Sequence, residues 1–395
     1  MAKFIPLSVP NLKGKEMQYV AKAVETEWVS TAGGFVEQFE QNLATYLNVE
    51  AATVCQSGTA GLHLAVQLAG VKSGDEVIVP TLTFIAAVNP VHYVGAEPVF
   101  MDCDDTLNMD LDKLDSFCRN ECEITDKGLL NKSTSRIIRA VVVVHVFGNM
   151  IDMDKLMHIA ATYQLMVIED ATEALGTYCT SGRFNGRFAG TIGDFGVYSF
   201  NGNKIITTGG GGALVARDPG MVAKAKYLAV QAKDDELYYV HHEVGYNYRM
   251  TNLQAALGVA QLEQLESFIA AKSLSYERYK YKLDQLKGLT LCGYNEATRP
   301  NYWLCTIVVE ESFGMSRDVL LQRLEERCIQ TRPVWSLIHQ QIPYKNKQSY
   351  YIERATYYAA RLLNLPSSSN LETTDVDYVA EEIVQLSLAK KEGAL

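Results

Sequence analysis

The chain has 395 residues, 48% hydrophobic and 21% charged, which is an ordinary globular composition. That length exceeds the range over which one core usually keeps growing, so two structural units are expected. Lys plus Arg number 36 against 46 Asp plus Glu, a formal charge of -10, which argues against a nucleic-acid or anionic-membrane surface.

The start, M-A-K-F-I-P-L-S-V-P, has no long apolar run and no cleavage-like site, so no signal peptide is expected. Polar helical spacing runs from Glu16 to Glu27, breaks at Gly33 and Gly34, and resumes from Val36 to Leu47 with Phe39, Leu43 and Leu47 on one face. Thr53-Val54-Cys55 is a short apolar step into Ser57-Gly58-Thr59. A long apolar helix follows, marked by Leu62, Ala65, Val66 and Ala69. Gly74-Asp75 is a turn. Strands are expected at Glu76 to Pro80, Pro98 to Met101, Arg139 to Val146, and Leu165 to Ile168, the last ending in Glu169-Asp170. The run V-V-V-V-H-V-F (141–147) is too short to span a membrane and reads as a buried strand. Asp152 is placed to cap a helix through Ala161. Gly196 to Phe200 and Gly212 to Ala216 form a strand pair around a lysine loop.

Past 225 the chain turns polar and aromatic, with Lys233, Asp234, Asp235, Tyr238, Tyr239, His241 and His242. One helix is expected from Asn252 to Phe268, then a mixed region with a β-like run from Trp303 to Val309. The tail from Lys390 to Leu395 is expected to fray. The division follows as a large unit over 1–245 and a smaller one over 246–395. Strands apolar on both faces, alternating with amphipathic helices, mean an α/β fold with a largely parallel sheet covered on both sides. Ligands in such folds sit beyond the carboxyl ends of the strands. The eight cysteines are scattered, and the nearest pair, Cys118 and Cys122, has no histidine-rich partner segment. Reduced thiols, no metal and a cytoplasmic location are the expectations.

Lys204 carries the most chemistry. It closes Y-S-F-N-G-N-K (198–204) and runs into I-I-T-T-G-G-G-G (205–212). Four glycines in succession cost backbone entropy unless something must approach closely. A lysine amine forms an imine with a carbonyl cofactor. A carboxylate against a pyridine nitrogen keeps that ring protonated and electron-accepting. Asp170, at the carboxyl end of an apolar strand, suits that role, although an acid there can also cap a helix. Lysine, glycines and carboxylate together point to pyridoxal phosphate.

Ser57, Gly58 and Thr59 open a helix, where N–H groups and small hydroxyls can cup a phosphate; the same residues also serve as ordinary caps. Ser199 can add a hydroxyl. Phe84 can stack on the ring or simply belong to the core. Glu173 can face the ring oxygen or the substrate. His145 reads equally well as a satisfied buried histidine, and Arg249 as an anion anchor or a packing contact.

The segments S-G-T-A-G-L (57–62), P-T-L-T-F-I-A-A-V-N-P (80–90), V-F-M-D-C-D (99–104), V-V-H-V-F-G-N-M-I-D-M-D (143–154), V-I-E-D-A-T-E-A-L-G (167–176), G-D-F-G-V-Y-S-F-N-G-N-K (193–204) and G-Y-N-Y-R-M-T-N-L-Q-A-A-L-G (245–258) together resemble the DegT/DnrJ/EryC1/StrS family of nucleotide-sugar aminotransferases. The C-terminal third matches loosely, best at R-P-V-W (332–335). The resemblance implies a fold-type I homodimer with shared active sites. It implies Lys204 as imine lysine and proton shuttle, and Asp170 on the ring nitrogen. Gly58, Thr59 and Ser199 would hold the phosphate, Phe84 would stack on the ring, and Asn247 would reach the neighbouring subunit's cofactor. Glutamate and a nucleotide sugar are the implied substrates, with Arg249 and Asn201 toward the sugar.

A lysine at 204, where one branch of the family has histidine and dehydrates sugars, implies transamination. Three positions depart from the family pattern: Glu173 for the frequent glutamine, Gly210 for the usual acid, and Asn201 for the usual histidine. The wording is most similar to the branch serving legionaminic-acid-type synthesis, which aminates C4 of a 4-keto-6-deoxy-N-acetylhexosamine. The rivals are a C3 sugar aminotransferase, another enzyme of this fold such as a β-lyase, or a non-catalytic regulator. A Rossmann dehydrogenase is disfavoured because no G-x-G-x-x-G follows a first strand.

Overall fold

A computed structural model describes residues 3–235 and 237–389. The tail expected to fray, 390–395, lies outside the described residues. The central sheet runs in the order Thr53–Cys55, Gly212–Ala216, Phe195–Ser199, Met166–Asp170, Arg136–Val144, Glu76–Pro80, Glu97–Met101 and Ser349–Tyr350. From Phe195–Ser199 onward all neighbours on this path are parallel. Gly212–Ala216 is antiparallel to both of its neighbours, so the strand pair around the lysine loop forms as expected and makes that end of the sheet mixed. A hairpin, Cys122–Thr125 with Gly128–Asn131, hangs antiparallel on Arg136–Val144.

The strands are apolar on both faces because helices cover both. Val141, Val143 and Val167 join the core that holds Phe39, Leu43 and Tyr198. Their neighbours Ala140, Val142 and Ile168 join the core under the Gly58–Leu68 helix, with Leu62 and Val66. This alternation follows from the two-residue period of a strand. A third core gathers Tyr279, Leu283, Ile307, Leu363, Val379 and Ile383 around an antiparallel sheet of Leu289–Leu291, Cys305–Val309, Leu362–Leu365 and Arg332–Pro333. The chain ends exchange between the cores. Ile5 bridges Ile329 and belongs to the third core, while Ser349–Tyr350 extends the large sheet.

Two expectations are corrected. The single helix over 252–268 is two, Asn252–Leu262 and the longer Leu265–Leu283. The break comes at Glu263-Gln264, where the Gln264 side chain turns to bond Glu16, while the apolar spacing runs on unbroken through it. The strand expected to reach Val146 stops at Val144, because Val146–Gly148 coils into a 3-10 turn with Phe147 at φ 56°. Asp152 does cap its helix, accepting from the Lys155 N–H at 3.0 Å. All eight cysteines are free thiols. No helix among the described residues is long and apolar enough to cross a membrane.

Candidate active site

Parallel strands bring chemistry to one edge. Asp170 ends Met166–Asp170 and Ser199 ends the neighbouring Phe195–Ser199. The Gly58–Leu68 helix opens beside them, across Gly212. Close approach explains the glycines here. A Cβ on Gly212 would lie 2.6 Å from the Gly58 nitrogen, and one on Gly58 would lie 3.0 Å from the Ser199 Cβ. The lysine loop can therefore return directly under the helix start only without side chains at these points.

The result is a cavity of about 270 Å³ lined by Ser57, Gly58, Thr59, Phe84, Asp170, Glu173, Ser199, Asn201 and Lys204. Asn247 and Arg249 do not line it. Asn247 is exposed on a stretch bridged to Val230, and Arg249 is bridged to Cys55 with its Nε buried and no acceptor among the described residues. Ser57 acts as the helix cap, its hydroxyl accepting from the Ala60 N–H at 3.1 Å. The N–H groups of Gly58 and Thr59 sit in the first turn, where no intrahelical acceptor exists, and both residues line the cavity.

Three charged groups meet inside. Lys204 Nζ lies 3.6 Å from Glu173 Oε1, and both side chains are buried or nearly so. The other Glu173 oxygen accepts from the Phe147 N–H at 2.8 Å. Phe147 makes this contact from a left-handed φ of 56°, a conformation uncommon for a bulky residue. Burial pushes Glu173 up to about 7, with Lys204 and the Phe147 N–H opposing it. Burial likewise raises Asp170, which is 4% exposed and opposed chiefly by Thr172. Its backbone donor is the Thr172 N–H at 3.1 Å.

Glu169 and His145 answer the question left open by sequence. His145 Nε2 lies 2.9 Å from Glu169 Oε2, with both side chains fully buried. Glu169 also accepts from the N–H groups of Gly190, Ile192 and Gly193. Burial pulls Glu169 upward, but His145 and those N–H groups win and hold it below the usual carboxylate range. His145 is thus a satisfied buried histidine that fixes the strand next to Asp170.

Sequence reasoning missed Thr172, Thr83 and Val144 in the lining, and Trp303 just behind it. The Trp303 ring lies 4.3 Å from Lys204 Nζ. Thr172, inside the quoted E-D-A-T-E run, was legible as a hydroxyl two residues past the strand end. Trp303 gave only a weak signal, as one of three tryptophans at the start of an apolar run.

The donor set fits pyridoxal phosphate. A buried carboxylate with few partners gains most from a pyridinium N–H, the first-turn N–H groups with Thr59 and Ser199 suit a phosphate, and Lys204 supplies the amine. The family model of the DegT/DnrJ/EryC1/StrS aminotransferases matches residues 10–384. The GDP-perosamine synthase of Caulobacter vibrioides is 36% identical over 391 residues, covering 97% of this chain and 98% of its own. The aminotransferase TlmJ of Streptoalloteichus hindustanus superposes with a TM-score of 0.87 at 27% identity, covering 98% of this chain and 100% of that one. DesI, solved in the presence of its TDP-sugar product, gives a TM-score of 0.86 at 26% identity, covering 100% and 95%. The chain belongs to the DegT/DnrJ/EryC1/StrS aminotransferase family and is a pyridoxal phosphate-dependent aminotransferase.

Proposed function

We propose that the enzyme moves an amino group from glutamate to C4 of a nucleotide-linked 4-keto-6-deoxy-N-acetylhexosamine, for nonulosonate or surface-glycan synthesis. The observation that carries the reading is Lys204 poised against Glu173 in a cavity that also holds Asp170. When bound, pyridoxal phosphate supplies an electron sink for the carbon that loses or gains a proton. Lys204 moves that proton, as a positioned amine can. Asp170 holds the ring nitrogen protonated, and Gly58, Thr59 and Ser199 take the phosphate. Glu173, pushed up to about 7 by burial, changes its own charge beside Lys204 near neutral pH. Phe84 stacks, and Asn201 lies at the mouth for the sugar.

A homodimer with shared sites belongs to the same proposal. Phe84 is 53% exposed at the cavity mouth, and the turn between the short strands Lys233–Asp235 and Val240–His241 carries exposed Leu237, Tyr238 and Tyr239 nearby in sequence to Asn247. Tyr248 turns inward, its hydroxyl 2.9 Å from His63 Nδ1, while Asn247 stays exposed. An outward asparagine between inward aromatics suits a role across an interface.

The names of the relatives carry GDP and TDP, so the test scans the nucleotide. Protein loaded with pyridoxal phosphate is given glutamate, and the cofactor's absorbance is followed. UDP-, GDP- and TDP-linked keto sugars are then supplied, and NMR locates the new amine. Conversion to the amine form of the cofactor followed by a C4 amine supports the proposal. A C3 amine, or no transfer to any of these sugars, rejects the regiochemistry or the substrate class.

A further inference from the structure

We propose that Trp303 is a positioning residue that holds Lys204 in place for proton transfer. The proposal rests on the proton-shuttling role given to Lys204 above. Trp303 is 3% exposed and stands between the lysine loop and the loop after Asp170. Its ring face lies 4.3 Å from Lys204 Nζ, and the Glu173 carboxylate lies 3.6 Å from the same atom. A cationic amine is attracted to an indole face, most strongly when water is excluded. The free ammonium of Lys204 therefore has two walls, one anionic and one aromatic.

The same indole also fixes the lysine's backbone. Its Nε1 donates at 2.8 Å to the carbonyl of Asn203, the residue before Lys204. The backbone N–H of Trp303 donates at 3.0 Å to Asn301 Oδ1, which seats the tryptophan on that loop. The Asn301 amide in turn donates to the carbonyls of Glu173 at 2.8 Å and Leu175 at 3.0 Å. One tryptophan with its neighbour thus sets the spacing of Lys204 and Glu173, although these lie on separate loops. Packing against Phe147, whose N–H holds Glu173, closes the circuit, with ring centroids 6.1 Å apart.

Lys272 anchors Trp303 from behind. Its ammonium is buried with no carboxylate partner among the described residues and donates to the carbonyls of Trp303, at 3.1 Å, and Ser367. A buried amine on carbonyls alone is costly, and burial pushes its pKa down to about 8. Its contacts tie the tryptophan to the small-domain segment at Ser367.

The test uses the holoenzyme of Trp303→Leu and Trp303→Phe, with glutamate and α-deuterated glutamate in single-turnover mixing. A misplaced proton shuttle slows only the proton step, and misplacement by about 1 Å can cost on the order of 100-fold. We expect Trp303→Leu to convert the cofactor at least about tenfold more slowly, with a larger deuterium effect than wild type and pyridoxamine phosphate affinity within about twofold. Trp303→Phe keeps a ring face, so its loss should stay under about threefold. The proposal is overturned if Trp303→Leu keeps the wild-type rate, or slows with no rise in the deuterium effect. It is also overturned if Trp303→Phe is as slow as Trp303→Leu. Should the leucine variant not hold the cofactor, Trp303→Phe decides alone: a loss under about threefold with a raised deuterium effect and unchanged pyridoxamine phosphate affinity supports the role, and a larger loss or no rise in the deuterium effect rejects it. Failure of wild type to react with glutamate would instead reject glutamate as the amino donor, an outcome distinct from failure of the Trp303 role.

Discussion

Glu169 and Asp170 are chain neighbours with opposite fates. A strand sends successive side chains to opposite faces. Glu169 turns to a face where His145 and three backbone N–H groups meet it. Asp170 turns to a cavity where Thr172 is its nearby donor. Burial is nearly complete for both, yet one is held below its ordinary pKa and the other above it. Partners therefore decide the sign, and burial alone does not. A fully partnered buried acid holds the fold. An under-partnered one lining a cavity keeps its capacity for a ligand.

The largest effect should come from the cavity side. Lys204→Ala should keep the fold and lower amination by roughly 100-fold to 10,000-fold, the range for removing a positioned acid–base group. Circular dichroism and turnover read the two parts. Amination at the wild-type rate would remove Lys204 from the mechanism. Asp170→Asn should follow, weakening cofactor binding and slowing the glutamate half-reaction. Cofactor-free stability should hold or rise, because an under-partnered buried charge is gone. A stability loss would mean that Asp170 serves the fold as Glu169 does.

Glu169→Leu should do the reverse. Breaking a buried pair from one side costs about 3–5 kcal/mol, here with three backbone N–H groups also left unmet. Urea unfolding measures it, and a change below about 1 kcal/mol would show that other acceptors take over.

These two acids also explain what was legible in the sequence. Asp170 and Lys204 announce themselves through local context, a strand end and a glycine run. The rank of Glu169 beside Asp170 was invisible, because its partners arrive from His145 in one strand and the 190–193 loop in another segment. Trp303 was hidden for the same reason, since its partners Asn203 and Lys272 lie far off in the chain. The sheet was readable because strands apolar on both faces need helices on both sides. The break at Gln264 was not, because the apolar period runs through it and the contact of Gln264 with Glu16 joins residues far apart in the chain.

A pH series sharpens the contrast further. Glu169, held low, contributes stability that is present above about pH 4.5 and is lost as pH falls through its depressed value. Glu173, raised to about 7, works the other way in the cofactor-free protein. Its contribution is full below about 4.5 and declines as pH rises toward 7. Urea midpoints of cofactor-free wild type should fall between those pH values by an amount that Glu173→Gln removes. An identical decline in the variant would place the titration elsewhere.

The smallest effect is expected at Gly210, where the family's usual acid is missing. Unlike Gly211 and Gly212, this glycine has room. A Cβ there would meet only Gln254 Nε2, at 3.8 Å, and its φ is not in the left-handed region. Gly210→Glu should therefore change stability by less than about 0.5 kcal/mol, as for an ordinary surface change. Its new carboxylate would stand at the edge of a cavity that already holds Asp170 and Glu173, so it should raise Glu173 further and slightly weaken phosphate binding. Titration with pyridoxamine phosphate would read that weakening. A stability loss above about 1 kcal/mol would mean that the loop needs glycine at 210 for its own path, as it does at 212.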